Sequence, residues 1–326
     1  MPSEAIKVTN GYYFPISPLL LFPETRGGFG IYVKVKSRYL LYAHPEEAFT
    51  YEQQERLFAN GVQEVYVLTA QREQFERYLE QHLGRMLLDD AVPMGERSRM
   101  FYSVSLNLIQ EAFQHHLPGQ GVSHSFDRVE RFVRLGIKFL AQNGSLKSLA
   151  GLISHHYQTY SHCVHVFVYT TTVLQSMGQP EDLVVQAGLG ALMHDLGKTL
   201  IPKNILNKSG KLTAEERMLI ESHPLKGVAL CTQVKLEQAA VHGILFHHER
   251  LDGQGYPTGL KGDGIPLSVR ATSLADTYDA LVSSRPYSPA KTPFEALSVM
   301  RESLGSQLDP EAYKNLVLVL SGADLV

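Results

Sequence analysis

From Leu183 to Met193 the chain carries a single polar side chain, Gln186, and the run ends in His194-Asp195-Leu196-Gly197-Lys198. The run reads as the buried central helix of an all-α core, and that requirement limits what the rest of the chain can be. Asp195 then sits at the end of a segment that must be core, and aspartate is rarely buried without a partner. Lys198 lies three residues on, within reach of the same face if the turn persists. A plain Asp195–Lys198 ion pair is one reading of the segment, and a metal ligand is the other.

Histidine usage shifts the balance towards metal. The chain has 14 histidines, and nine of them, at 155, 156, 162, 165, 194, 223, 242, 247 and 248, fall between residues 155 and 248. One histidine on an apolar helix is ordinarily a hydrogen-bonded core residue, but His162, His223, His247, His248 and Asp276 all fall on predicted helices or helix ends. Thr213-Ala214-Glu215-Glu216 caps a helix ending near His223-Pro224. Val241 to His248 is a further helix. Glu249 to Pro266, with five glycines and no helical or strand pattern, is long enough to be a working loop. Ser268 to Ser284 returns to helix.

Imidazole and carboxylate donors without thiolate favour iron or manganese over zinc. If two six-coordinate ions share one carboxylate, this donor set with its bridging groups fills about ten of the twelve positions. About two remain for phosphate oxygens, which suits hydrolysis of a phosphodiester.

The first 92 residues read as a small α+β regulatory or sensory domain. Gly30 to Lys36 alternates and places Ile31, Val33 and Val35 on one strand face, and Tyr39 to Ala43 pairs with it as a hairpin. Thr50-Tyr51-Glu52-Gln53 forms a capping box, Asn60-Gly61 stops the helix, Val62 to Leu68 is a third strand, and Phe75, Leu79, Leu83 and Leu87 repeat at helical spacing. Residues 93–145 form a helical linker of two helices split by Leu117-Pro118-Gly119-Gln120-Gly121. The second helix carries the stripe Phe126, Val129, Phe132, Val133, Gly136 and Leu140, read as core or as the seam of a homodimer. Residues 146–326 form the all-α domain, so the fold class is mostly α.

A net charge of −3, from 30 Lys and Arg against 33 Asp and Glu, argues against a nucleic-acid binder. Cys163 and Cys231 are too few for a disulfide framework, which points to a reducing compartment. The run Leu19 to Phe22 is cut by prolines and is too short for a leader or a membrane span. The expectation is a cytoplasmic protein with no membrane partner, whose N-terminal domain serves protein partners.

His162, His194-Asp195-Leu196-Gly197-Lys198, His223-Pro224-Leu225-Lys226-Gly227 and His247-His248-Glu249-Arg250-Leu251-Asp252-Gly253-Gln254-Gly255-Tyr256-Pro257 occur in one order along the chain. Ile265-Pro266, Arg270, Leu274-Ala275-Asp276, Asp279-Ala280-Leu281 and Arg285-Pro286-Tyr287 follow. The ordered set resembles the HD-GYP family of metal-dependent cyclic di-GMP phosphodiesterases. That resemblance covers somewhat over half of the chain, from about Leu146 onward.

It implies an HD-type helical bundle, hydrolysis of cyclic di-GMP to pGpG and in some members to GMP, and two divalent ions per chain. It also implies metal ligands at His162, His194, Asp195, His223, His247, His248 and Asp276, with Asp195 bridging. Lys198 would contact the scissile phosphate. Gly255, Tyr256 and Pro257 would present a ring for guanine and a hydroxyl for phosphate, and Arg285 a fork for either.

The chain departs from the family at two positions. Gln158 stands where members with a third metal carry glutamate, and Ser288 stands where many have Lys or Arg. The first makes two metals the expectation; the second predicts weaker ligand binding with the chemical step spared. His155, His156 and His165 match no ligand position and read as packing or supporting residues. Two competing readings stay open, a cyclic di-GMP receptor with little turnover and an HD hydrolase acting on another nucleotide.

Overall fold

The computed structural model describes residues 12–36, 38–114, 121–152, 159–232, 234–284 and 289–326. It divides between Val104 and Ser105 into two compact units.

The first unit holds β1 (Tyr13–Ile16), β2 (Ile31–Val35), β3 (Arg38–Ala43), α1 (Tyr51–Ala59), β4 (Val65–Leu68) and α2 (Arg72–Leu87), and the division falls within α3 (Met94–Gln114). The strands form one antiparallel sheet in the order β1-β4-β2-β3. The capping box at Thr50 and Gln53 starts α1, and Gly61, at a φ of 66°, follows its C-cap Asn60. Phe75, Leu79, Leu83 and Leu87 turn one stripe of α2 into the core. The expected strand face is only partly realised. The β2–β3 register slips between Ile31 and Tyr32, so both bury their side chains, while Val35 near the hairpin tip is 49% exposed. An irregularity of this kind bends the strand and re-aims the side chains next to it, which alternation alone does not reveal.

The second unit is all-α: α4 (Gly121–Leu140), α5 (Ser145–Ala150), α6 (Thr159–Ser176), α7 (Glu181–Met193), α8 (Lys203–Leu206), α9 (Ala214–Glu221), α10 (His223–Leu230), α11 (Gln238–Phe246), α12 (Leu267–Val282), α13 (Pro293–Ser303) and α14 (Pro310–Gly322). Val184 to Met193 of α7 are buried, as the apolar run requires, with α6, α11 and α12 packed around it. The α4 stripe is core rather than a dimer seam. Phe126, Val129, Phe132 and Val133 are buried within the chain, and Phe132 meets the ring of Phe167 on α6 at 6.0 Å. Among the described residues no helix is long and apolar enough to cross a membrane.

Glycines let the central helices touch backbone to backbone. A Cβ at Gly190 would lie 2.8 Å from the carbonyl oxygen of Ala240 and 3.1 Å from Cα of Gly243, so α7 and α11 cross where neither has a side chain. One turn further along each helix stand His194 and His247. The crossing thus fixes the distance between two candidate ligands before any polar contact forms.

Candidate metal centre

Three of the histidines are aimed by the same local device. Each stands at the start or end of a helix and donates its Nδ1–H to a carbonyl three residues back: His194 to Ala191 O at 2.6 Å, His223 to Ile220 O at 2.8 Å and His247 to Ile244 O at 2.9 Å. A carbonyl only accepts, so the proton of each neutral ring is fixed on Nδ1 and the Nε2 lone pair faces inward. His162 on α6 is aimed differently, with its Nδ1 2.6 Å from Asp279 Oδ2 on α12. Asp279 also holds His165 Nδ1 through its other oxygen at 2.8 Å.

Asp195 lies at the centre and is fully buried. Its Oδ1 faces His223 Nε2 at 3.4 Å and His247 Nε2 at 4.0 Å. Its Oδ2 faces His194 Nε2 at 3.5 Å and His162 Nε2 at 3.8 Å, and accepts from Lys198 Nζ at 2.6 Å. Asp276 on α12 completes the second group, with Oδ1 3.1 Å from His162 Nε2, and its Oδ2 is 3.8 Å from His248 Nδ1. The potential donors thus fall into the sets His223, His247, His248 and His162, His194, Asp276, with one oxygen of Asp195 turned to each.

This set fits a metal on electrostatic grounds. His223 Nε2 and His247 Nε2 lie 3.1 Å apart, both with lone pairs, and Asp195 Oδ1 beside them is buried without a hydrogen-bond partner among the described residues. Three acceptors in contact with no proton to share call for a cation. Burial keeps the rings neutral. It holds His223 down to about 4 and His248 down to about 3, and it also lowers His194 and His247. His162 goes the other way: burial opposes its charge, but the hydrogen bonds it donates to the Asp276 and Asp279 carboxylates carry it up to about 9. Without metal, a proton on His162 stands between the carboxylates where a metal would replace it. Asp195 and Asp276 are held well below the usual carboxylate range, against burial, by Lys198 and the histidines around them.

The Glu249–Pro266 segment lies against one side of the cluster and, among the described residues, is irregular apart from the short turn Gly262–Gly264. The ring of Tyr256 lies over that of His248, centroids 4.6 Å apart at 30°. Gly255 makes this possible, because a Cβ there would fall 2.5 Å from Glu249 Cα and from His248 O. Tyr256 is half-buried, so it packs on its own domain and still shows one edge to solvent.

The structure therefore brings together His162, His194, Asp195, Lys198, His223, His247, His248 and Asp276, with Gly255, Tyr256 and Pro257 in the segment beside them. Arg285, Gln158, Ser288, His155 and His156 lie outside the described residues. Sequence reasoning gave no role to Asp279 and read His165 as a packing or supporting residue; its bond to Asp279 makes it a supporting one. The signal was available: His165 follows His162 by three positions and Asp279 follows Asp276 by three, so each pair shares a helix face. Cys163 is a further buried donor, with Sγ in one group with His194 and Asp195, but burial pushes its thiol well up and leaves it protonated.

Asp279→Asn tests the supporting layer. It removes the carboxylate that orients His162, and such partners typically carry about 10–100-fold in metal affinity. The expected result is a metal dissociation constant raised within that range with the fold intact, read by competition with a chelator. An unchanged constant would show that packing alone orients His162.

The sequence model of the HD domain matches residues 147–312, just over half of the chain. A protein of Pseudomonas aeruginosa named cyclic di-GMP phosphodiesterase is 36% identical over 202 residues, covering 61% of this chain and 48% of its own length. A protein of Vibrio cholerae named 3'3'-cGAMP-specific phosphodiesterase is 33% identical over 163 residues, covering 50% of this chain and 35% of its own. The chain thus spans about half or less of the length of these curated relatives. Among solved structures, an HD-GYP protein from Bdellovibrio bacteriovorus shares the fold with a TM-score of 0.63 at 20% identity, over 95% of this chain and 100% of that one. With His194-Asp195 at the end of a buried helix and the domain match running through every element that carries the cluster, this chain belongs to the HD-domain family.

Proposed function

We propose that the chain is a metal-dependent phosphodiesterase of the HD-GYP type that hydrolyses cyclic di-GMP to pGpG, with GMP as a further product, in the cytoplasm. The observation that carries this reading is Asp195, whose two oxygens each face a separate set of imidazoles. Such a carboxylate would serve two cations at once. His223, His247 and His248 would hold one, His162, His194 and Asp276 the other, and iron or manganese suits these donors. When bound, the ions supply Lewis-acid activation of water and neutralise charge on the phosphate.

The remaining roles belong to the chain itself. Lys198, anchored on Asp195 and partly exposed, offers a cation to the phosphate oxygens on which charge gathers. Tyr256 offers the ring that a guanine stacks on and a hydroxyl within the same segment. Arg285 is proposed as a fork for guanine or phosphate. The first unit is proposed as a regulatory module for protein partners.

Reduced protein, purified without oxygen, tests the reading in one preparation. Elemental analysis is expected to give about two iron or manganese ions per chain, and chromatography pGpG from cyclic di-GMP. Removing the metals with a chelator is expected to abolish turnover and lower the unfolding temperature, because an ion bound only by the native state stabilises it. Metal-loaded protein that binds cyclic di-GMP without hydrolysing it would make the chain a receptor. The Vibrio cholerae relative gives weight to a second reading, a mixed cyclic GMP–AMP substrate. Faster hydrolysis of that dinucleotide than of cyclic di-GMP in direct competition would favour it.

A further inference from the structure

Glu249 follows the candidate ligands His247 and His248 directly, yet its side chain turns away from them. It is 2% exposed, and its Oε1 accepts three hydrogen bonds from the far side of the segment: Thr258 N at 2.7 Å, Thr258 Oγ1 at 2.7 Å and Gly259 N at 3.1 Å. Its own backbone is held from α12, where Ser273 Oγ donates to the carbonyls of His247 and Glu249. Between these anchors the chain folds back on itself, with Tyr256 N donating to His248 O at 3.3 Å and the Tyr256 ring laid on the His248 ring. A buried carboxylate taking two backbone amides and a hydroxyl on one oxygen is a strong and directional tie. It closes the loop immediately beyond Tyr256 and Pro257.

We infer that Glu249 is a positioning residue, a latch that holds Tyr256 over His248 and so sets the shape of the ligand-facing wall without touching metal or substrate. The inference rests on the proposed function for its kinetic consequence, but the latch itself is readable without any substrate. Ordering the loop in advance lowers what substrate binding must supply. Loss of the latch therefore raises KM and leaves kcat and metal content largely in place.

Hydrogen exchange and steady-state kinetics on the full chain test this together. In Glu249→Ala the amides of Thr258 and Gly259 are expected to lose at least about a hundredfold of protection, and KM for cyclic di-GMP to rise about tenfold. Glu249→Gln keeps an acceptor oxygen of the same shape, so protection and KM should return most of the way to wild type. Thr258→Val removes one of the three bonds at an exposed position and should give a smaller change in the same direction, which keeps the test alive if Glu249→Ala does not fold. Unchanged protection across residues 250–266 in a folded Glu249→Ala protein overturns the latch. So does a fall in kcat and metal content at constant KM, which would place Glu249 within the metal centre. If wild-type protein turns over no cyclic di-GMP, the functional reading fails while the exchange data still decide the latch.

Discussion

Asp195→Asn is expected to leave a folded protein with no bound metal and with turnover reduced at least about a thousandfold. The substitution preserves shape and removes the one charge that both imidazole sets share. Asp195 is fully buried, and its oxygens face His223 and His247 on one side and His194 and His162 on the other. Without that anion, two cations would have to sit close together with no shared counter-charge. The apo fold should survive for a specific reason. An asparagine amide can donate to the inward lone pairs of His223 and His247 while its oxygen still accepts from Lys198, whose head is near the rim. Breaking a buried ion pair outright costs about 3–5 kcal/mol, so Asp195→Ala, which leaves both sides unpartnered, should be markedly less stable than Asp195→Asn. Three readouts separate the effects: elemental analysis, turnover, and the drop in unfolding temperature on adding a chelator. That drop should be present in wild type and absent in Asp195→Asn. Full metal loading and undiminished hydrolysis in the variant would remove the basis for a centre built around Asp195.

The ligand-type residues were legible because the centre is built at helix ends. A buried apolar helix that stops at His194-Asp195, a helix that ends near His223-Pro224 and another that runs to His248 are all visible as patterns, and each end carries its own donor. The supporting layer was less legible because it depends on which helices face each other. Nothing local to α6 or α12 states that His162 and His165 look across at Asp279, more than a hundred positions away. Glu249 was hidden for the opposite reason. It sits inside a recognisable motif next to two candidate ligands, and only its partners Thr258 and Gly259 reveal that it serves the loop.

The mostly α class and the capping boxes at Thr50 and Thr213 follow from local chemistry and appear where the sequence places them. The departures come from packing. Alternation along β2 predicts a continuous inward face; instead Ile31 and Tyr32 are both buried at the register slip, and Val35 at the opposite end, by the hairpin tip, is exposed. The α4 stripe is equally suited to a partner chain or to the protein's own core. Its burial near Phe167 decides for the core, a tertiary fact that periodicity does not contain.

Gly197→Ala should be the most damaging single methyl group in the HD turn. A Cβ at this position would lie 1.9 Å from the carbonyl oxygen of His223 and 2.5 Å from the amide nitrogen of Gly227. Those two groups are the pair that closes the first turn of α10, so the methyl would wedge into a helical hydrogen bond rather than displace a flexible side chain. Gly227 faces Gly197 in turn, its own Cβ position 3.4 Å from Gly197 N, so the HD turn and α10 meet with no side chain between them. That contact brings Asp195 and His223 together, and separating the two backbones pulls Oδ1 of Asp195 away from the His223 side of the centre. Overpacking of this kind typically costs about 1–3 kcal/mol and more where only backbone can give way. For a unit of this size each kcal/mol lowers the unfolding temperature by about 2–4 °C. With a cost of about 3 kcal/mol, at the upper end because only backbone can give way, the expected result is an unfolding temperature lower by about 6–12 °C, loss of the metal on the His223 side, and turnover reduced at least about a hundredfold. Gly210→Ala is the matched control, because a Cβ there meets nothing within 4 Å and the same methyl should leave stability and turnover as they are. Equal behaviour of the two variants would show that the HD turn and α10 are not held in backbone contact. A Gly197→Ala protein that loses stability but keeps both metals would instead separate the packing from the centre it is argued to position.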